Sequence, residues 1–151
     1  MSENSKMYKL GIVVGRFNQV ITQALLDGAL ARTAALQLAE KNVTVMWVPG
    51  AVELPLIAQQ MAKSRRYDAV ICLGAVIKGD TDHYDHVCQQ ASLGCQQVAL
   101  QYDIPVIFGV LTTRNKEQAL ARAGGARGNK GRYAVDAALE MIDNMRSLSK
   151  C

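Results

Sequence analysis

One run, Ala69–Ile77 (AVICLGAVI), constrains this chain more than any other: apolar and small residues, rich in β-branched side chains, end abruptly at Lys78-Gly79. Without polar alternation, such a run reads as a strand buried on both faces, which requires helices above and below it. Asp80, Thr81 and Asp82 follow, and all are competent N-caps. A helix is therefore expected to start there, turning free backbone N–H groups and a positive dipole end toward the top of the strand. That is an anion site in outline. His83 stands one turn in, with the side chain best suited to moving protons near neutral pH. Any strand-to-helix junction in an α/β protein uses Gly and an N-cap, however, and a histidine there is more often solvated than catalytic. The junction gains weight only if others converge on it.

Three others do. Lys9–Val14 reads as a first strand with Gly15-Arg16-Phe17-Asn18 as its exit turn, and Val43–Val48 as a second, broken at Pro49-Gly50. Val106–Leu111 is the fourth, after which Thr112–Asn115 caps a short helix through about Ala123. Between them, apolar residues recur at three- and four-residue spacing over Gln19–Glu40 (Ile21, Leu25, Ala29, Leu36), Leu54–Lys63 and His83–Tyr102, the signature of helices packed on a sheet. A Gly-rich segment, Gly124–Gly131, precedes a last helix over Arg132–Ser147. Strands alternating with helices imply a parallel sheet, right-handed crossovers and helices on both faces. Ligands of such sheets bind beyond the carboxyl ends of the strands. Phe17, Pro49–Glu53, Lys78–His83 and Phe108–Thr113 are thus expected on one rim, with both phenylalanines of the chain placed to hold a flat ring.

The length of 151 residues suits one domain, spanning 1–151, with residues 1–8 expected to be flexible. No apolar run approaches the roughly 18 to 20 residues needed to span a bilayer, and the polar start MSENSKMYK lacks the apolar core of a signal peptide. The cytoplasm is the expected compartment, and no membrane partner is expected. Cys72, Cys88, Cys95 and Cys151 have neither C-x-x-C nor metal-ligand spacing, so in place of a metal centre buried thiols are expected at Cys72 in a strand and at Cys88 and Cys95 on one helix face, with Cys151 a tail residue. Of the net charge of +4, residues 1–113 contribute nothing, with nine cations and nine anions, and the excess is C-terminal. Those cations are scattered through a helical pattern with one aromatic, Tyr133, which fits a compact phosphate ligand better than nucleic acid.

Taken in order, Arg16-Phe17-Asn18, VPGAVELP (Val48–Pro55), AVIKGDTDH (Ala75–His83), PVIFGVLT (Pro105–Thr112), EQALARAG (Glu117–Gly124) and GNKG (Gly128–Gly131) resemble the lumazine synthase family from about Leu10 to Met145. The resemblance implies a flavodoxin-like three-layer α/β/α sandwich with a four-stranded parallel sheet, assembled as a homopentamer or a multiple of pentamers with sites between neighbours. The implied reaction joins 5-amino-6-(D-ribitylamino)uracil and 3,4-dihydroxy-2-butanone 4-phosphate, with no metal or organic cofactor and with riboflavin synthase as a candidate partner. Phe17 would stack on the pyrimidine, Glu53 would accept from ribityl hydroxyls beside the backbone of Ala51 and Val52, and Ala75, Val76 and Ile77 would offer backbone groups to the pyrimidine edge. Phe108 would close the ring pocket from the neighbouring subunit. The phosphate would rest on the N–H groups of Asp80 and Thr81, with Arg122 and Lys130 lent by that neighbour, and His83 would shuttle protons.

Two positions depart from the family pattern: Val52 stands where an aromatic is common, and Asp80 sets a carboxylate beside the expected phosphate unless it turns away or pairs with Lys78. The short polar arm before Lys9 and the unexpanded interval from Arg122 to Lys130 point in opposite directions on assembly, leaving pentamer, decamer and sixty-subunit shell all open. A non-catalytic lumazine or flavin carrier and a structural shell protein on the same scaffold are the rival readings. A carrier of a phosphate-free lumazine would need neither His83 nor Arg122.

Overall fold

A computed structural model describes residues 6–150. Four parallel strands, β1 (Leu10–Gly15), β2 (Val43–Val48), β3 (Ala69–Ile77) and β4 (Val106–Thr113), form one sheet in the order β2-β1-β3-β4. Five helices connect or flank them: α1 (Gln19–Ala35), α2 (Leu54–Ser64), α3 (His83–Tyr102), α4 (Lys116–Ala121) and α5 (Lys130–Ser149). The expected three-layer α/β/α arrangement is therefore present.

The period-two geometry of a strand divides the core cleanly. Leu10, Ile12 and Val14 of β1 and Ile71, Leu73 and Ala75 of β3 face α1 and α5, where they meet Leu25, Ala29, Val135 and Leu139. Val13, Val70, Cys72 and Val76 face the other way, onto Leu54 and Ala58 of α2 and Ala91, Cys95 and Val98 of α3. Since β1 and β3 are buried on both faces, truncating Leu73 to Ala would cost about 2–5 kcal/mol.

Several boundaries differ from those expected. The first helix stops at Ala35 because Gln37 takes a left-handed conformation (φ 63°), after which Glu40–Asn42 form a single 3-10 turn into β2. Glu53 ends another 3-10 turn, Ala51–Glu53, ahead of α2. The fourth strand continues to Thr113, since Lys78 N–H donates to the Thr113 carbonyl at 2.9 Å and extends the β3–β4 ladder. The Gly-rich segment is ordered as a small antiparallel hairpin, β5 (Ala123–Gly125) with β6 (Gly128–Asn129), and α5 begins at Lys130 because Asn129 caps it. Tyr8, expected in a flexible start, is buried at 2% exposure in the α1/α5 layer. Lys6 and Met7 before it are exposed, and the rest of that expectation falls on residues 1–5, outside the described residues, as does Cys151. Cys72 and Cys95 are buried as expected, and Cys88 is half-buried.

Candidate active site at the sheet switch point

Strand order reverses between β1 and β3: from β1 the chain crosses to β2 on one side, then returns past β1 to β3 on the other. The crevice outside their carboxyl ends is the place where doubly wound sheets bind ligands. The exits of β1 and β2 are tied together there, Arg16 N–H donating to the Val48 carbonyl at 2.8 Å and Phe17 N–H to the Pro49 carbonyl at 2.9 Å. Gly50 locates their side chains. A Cβ placed on it would lie 3.4 Å from Glu53 Oε1 and 3.8 Å from Phe17 Cβ, so the aromatic and the carboxylate flank one point. Phe17 is 72% exposed there, in keeping with a ring held for something outside the core. Ala51 is buried beneath the turn, and Val52 beside it is exposed.

The strand β3 outruns β1. Its ladder with β1 ends at Leu73↔Val14, while its ladder with β4 continues to Ile77↔Thr113. Within a parallel ladder, successive residues address opposite neighbours. Val70 and Lys78 donate to Pro105 and Thr113 on the β4 side, so Val76 does the same, and Ala75 and Ile77 turn their peptide groups toward the crevice. This corrects the expectation for Ala75–Ile77: the backbone of Val76 belongs to the sheet, and its side chain is 9% exposed in the core. The crevice-facing carbonyl of Ala75 already accepts a hydrogen bond from Asn18 Nδ2 at 2.9 Å.

At the mouth of α3, residues Lys78 to His83 are all exposed, and Thr81 Oγ1 accepts from His83 N–H at 3.3 Å. Asp82 occupies the N-cap position without a side-chain cap bond, so the first-turn N–H groups are not closed off by a carboxylate. Asp80 forms no ion pair among the described residues, and Lys78 does not neutralise it. Behind His83, Tyr84 packs its ring against the α2/α3 core and hydrogen-bonds Thr112. Burial pushes its phenol up from the usual range, partly offset by that bond. Helix α3 also packs on the Ala51–Glu53 turn, bringing the β2 and β3 exits together.

The remaining candidates lie apart within one protomer. Phe108 is not on the rim: it pairs opposite Cys72 midway along β4, an edge strand, and lines a groove of about 500 Å³ with Gln89, Ser92, Leu93 and Gln96 of α3. Sequence spacing misplaced it because β4 continues five residues beyond it. Arg122 ends α4, where its Nη1 donates to the Gln118 carbonyl at 3.0 Å, and Lys130 N–H donates to the Arg122 carbonyl at 2.9 Å. The β5–β6 hairpin thus brings the backbones of Arg122 and Lys130 side by side. Among the described residues no hydrogen bond or ion pair joins either to Phe17, Glu53 or His83. The larger clefts, of about 740 and 590 Å³, lie near Lys9 and Lys41 and near Asp68 and Arg146, below the amino ends of the strands and away from this chemistry. No group of three His, Cys, Asp or Glu side chains among the described residues is placed to hold a metal, and no helix is long and apolar enough to cross a membrane.

A doubly wound sheet with an aromatic, a carboxylate, free strand-edge peptide groups and a histidine at its switch point defines an α/β enzyme built for a planar polar ligand. Three proteins of Coxiella burnetii (strains Dugway 5J108-111, CbuG_Q212 and RSA 493 / Nine Mile phase I), each named 6,7-dimethyl-8-ribityllumazine synthase, are 57% identical to it over 148 residues, covering 98% of this chain and 97% of each relative. The pattern of the 6,7-dimethyl-8-ribityllumazine synthase family matches residues 7–146, and the chain belongs to that family.

Proposed function

We propose that this chain condenses 5-amino-6-(D-ribitylamino)uracil with 3,4-dihydroxy-2-butanone 4-phosphate to 6,7-dimethyl-8-ribityllumazine, releasing phosphate and water, as a transferase of riboflavin biosynthesis. What supports the reading is that Phe17 and Glu53 flank one point at the switch point, and that α3, which begins at His83, packs on the Ala51–Glu53 turn, in a member of this family. Phe17 stacks on the pyrimidine, Ala75 and Ile77 meet its edge, and Glu53 accepts from ribityl hydroxyls beside Ala51 and Val52. The phosphate rests on the N–H groups of Asp80 and Thr81.

The open rim supports completion by a second chain. Ligand pockets enclose most of a small molecule's surface, whereas Phe17 stands bare in one protomer. Arg122, Lys130 and Phe108 are the residues left without a site in their own chain, and each supplies what the crevice lacks: paired cations and a second aromatic wall. We place them in the neighbour's site within a homopentamer working in the cytoplasm.

His83 shuttles protons through imine formation, phosphate loss, enol–keto rearrangement and ring closure. The substrates are intrinsically reactive, so orientation supplies much of the acceleration. Mixing the two substrates with the protein and following lumazine fluorescence tests the reading: product is expected with wild type, and turnover roughly ten- to a thousandfold slower with His83→Ala. Absence of product from wild type would leave a binding or structural protein, and unchanged turnover in the variant would remove His83 from the mechanism.

A further inference from the structure

Asn18 occupies a position that its own helix does not need. It stands at the N-cap of α1, where an asparagine side chain ordinarily accepts from a first-turn N–H, yet its side chain makes no cap bond. It adopts φ 62° and ψ 50°, a left-handed conformation that asparagine tolerates better than most residues. The amide reaches across the crevice instead, Nδ2 donating to the carbonyl of Ala75 at 2.9 Å, beyond the last β1–β3 ladder pair. That bond replaces a missing rung. It spans the two strand exits that frame the switch point, and its ends adjoin Phe17 on one side and the open peptide groups of β3 on the other.

We infer that Asn18 is a positioning residue which clips the β1 exit to β3, setting the Phe17 ring over the strand edge and leaving Ile77 as the unoccupied peptide for a planar ring with hydrogen-bonding edges. The inference rests on the ring-binding role proposed above for Phe17 and β3. A clip of this kind bears on the ring-bearing substrate and its product more than on the phosphate-bearing substrate, since the exposed Asp80–Thr81 loop leaves β3 beyond Ile77. Gly at position 18 would keep the backbone conformation and lose the donor. Asp would keep both shape and conformation, but its ionised form cannot donate to a carbonyl; protonated, it can.

The experiment measures binding of 6,7-dimethyl-8-ribityllumazine by fluorescence, KM for each substrate and the melting temperature, for wild type, Asn18→Gly and Asn18→Asp. Expected are a Kd for the lumazine weakened about fivefold to tenfold in both variants, a KM for the butanone phosphate within about twofold of wild type, and, for Asn18→Asp relative to wild type, recovery of affinity as pH falls to about 4, where a carboxyl is about half protonated. Equal loss of affinity for both substrates, or wild-type lumazine affinity in both variants, would overturn the inference. Wild type that neither binds lumazine nor forms it would overturn the functional reading beneath it.

Discussion

Asn129 and Gly28 share one space: a Cβ on Gly28 would fall 2.3 to 2.4 Å from the carboxamide atoms of Asn129, which reaches over α1 to donate Nδ2 to the Ala24 carbonyl at 3.0 Å. The other end of the same side chain caps α5, its Oδ1 accepting from Arg132 N–H at 3.1 Å. One asparagine therefore fixes the start of α5 and the adjacent Lys130 on α1. Gly28→Ala is expected to destabilise by about 1–3 kcal/mol through overpacking and Asn129→Ala by about 1 kcal/mol through the lost cap. Because the two act on one contact, adding Gly28→Ala to Asn129→Ala should cost much less than it does alone. Urea denaturation of the four proteins checks this.

Arg122→Ala should chiefly raise KM for the butanone phosphate, by roughly ten- to a hundredfold on the scale of a lost charge-assisted contact, with smaller change for the uracil substrate. Among the described residues the guanidinium makes one bond, to the Gln118 carbonyl, so stability should fall by under about 1 kcal/mol. Initial rates with each substrate varied in turn separate these effects, and an unaltered phosphate-substrate KM would refute the assignment.

Asp80→Asn should tighten the butanone phosphate severalfold. The carboxylate is exposed and, among the described residues, without an ion partner, beside N–H groups proposed to hold a dianion. Screening limits the repulsion, so the gain should shrink as salt rises. A salt-independent gain would mean that charge is not its cause.

The buried Cys72 thiol is held above its ordinary range by donation to Cys95 and by burial. Its sign follows from linkage. Above about pH 8.5 the unfolded chain loses that proton and the folded chain keeps it, so this contribution to stability is complete below the unfolded pKa and fades as pH rises toward the folded one. Cys95 accepts that bond and is lowered from its ordinary range, so it opposes this trend; Cys95→Ala removes the lowered group and keeps the buried Cys72 thiol, and should lose more stability between neutral and alkaline pH than wild type. Urea midpoints of both proteins across that range test the difference.

Long uniform elements were legible in sequence. The bounds of β2, β3 and α3 match their patterns because each is a continuous run closed by Pro49-Gly50, by Lys78-Gly79 or by Asp103 in the left-handed region. What escaped was set across space. Asn18 carries no periodic signal, and its role exists only because β3 outruns β1 by several residues. Phe108 reads as a rim residue until the length of β4 is known. The β5–β6 hairpin hides in glycines whose pairing depends on α1 beneath them. Arg122 and Lys130, far apart in chemistry-bearing context, are neighbours through one backbone bond.

Gly79 illustrates a division of labour, since a Cβ added there would meet no atom of the described residues beyond its chain neighbours within 4 Å. The segment around it, to which phosphate binding and proton transfer are assigned in the proposal above, supplies almost none of the packing, whereas the strand beneath is buried on both faces. Substrate preference can therefore drift by exchange of a few tip residues while the platform stays unchanged. Asp80 has the character of such a drift: a tuning mark on a part that folding leaves free.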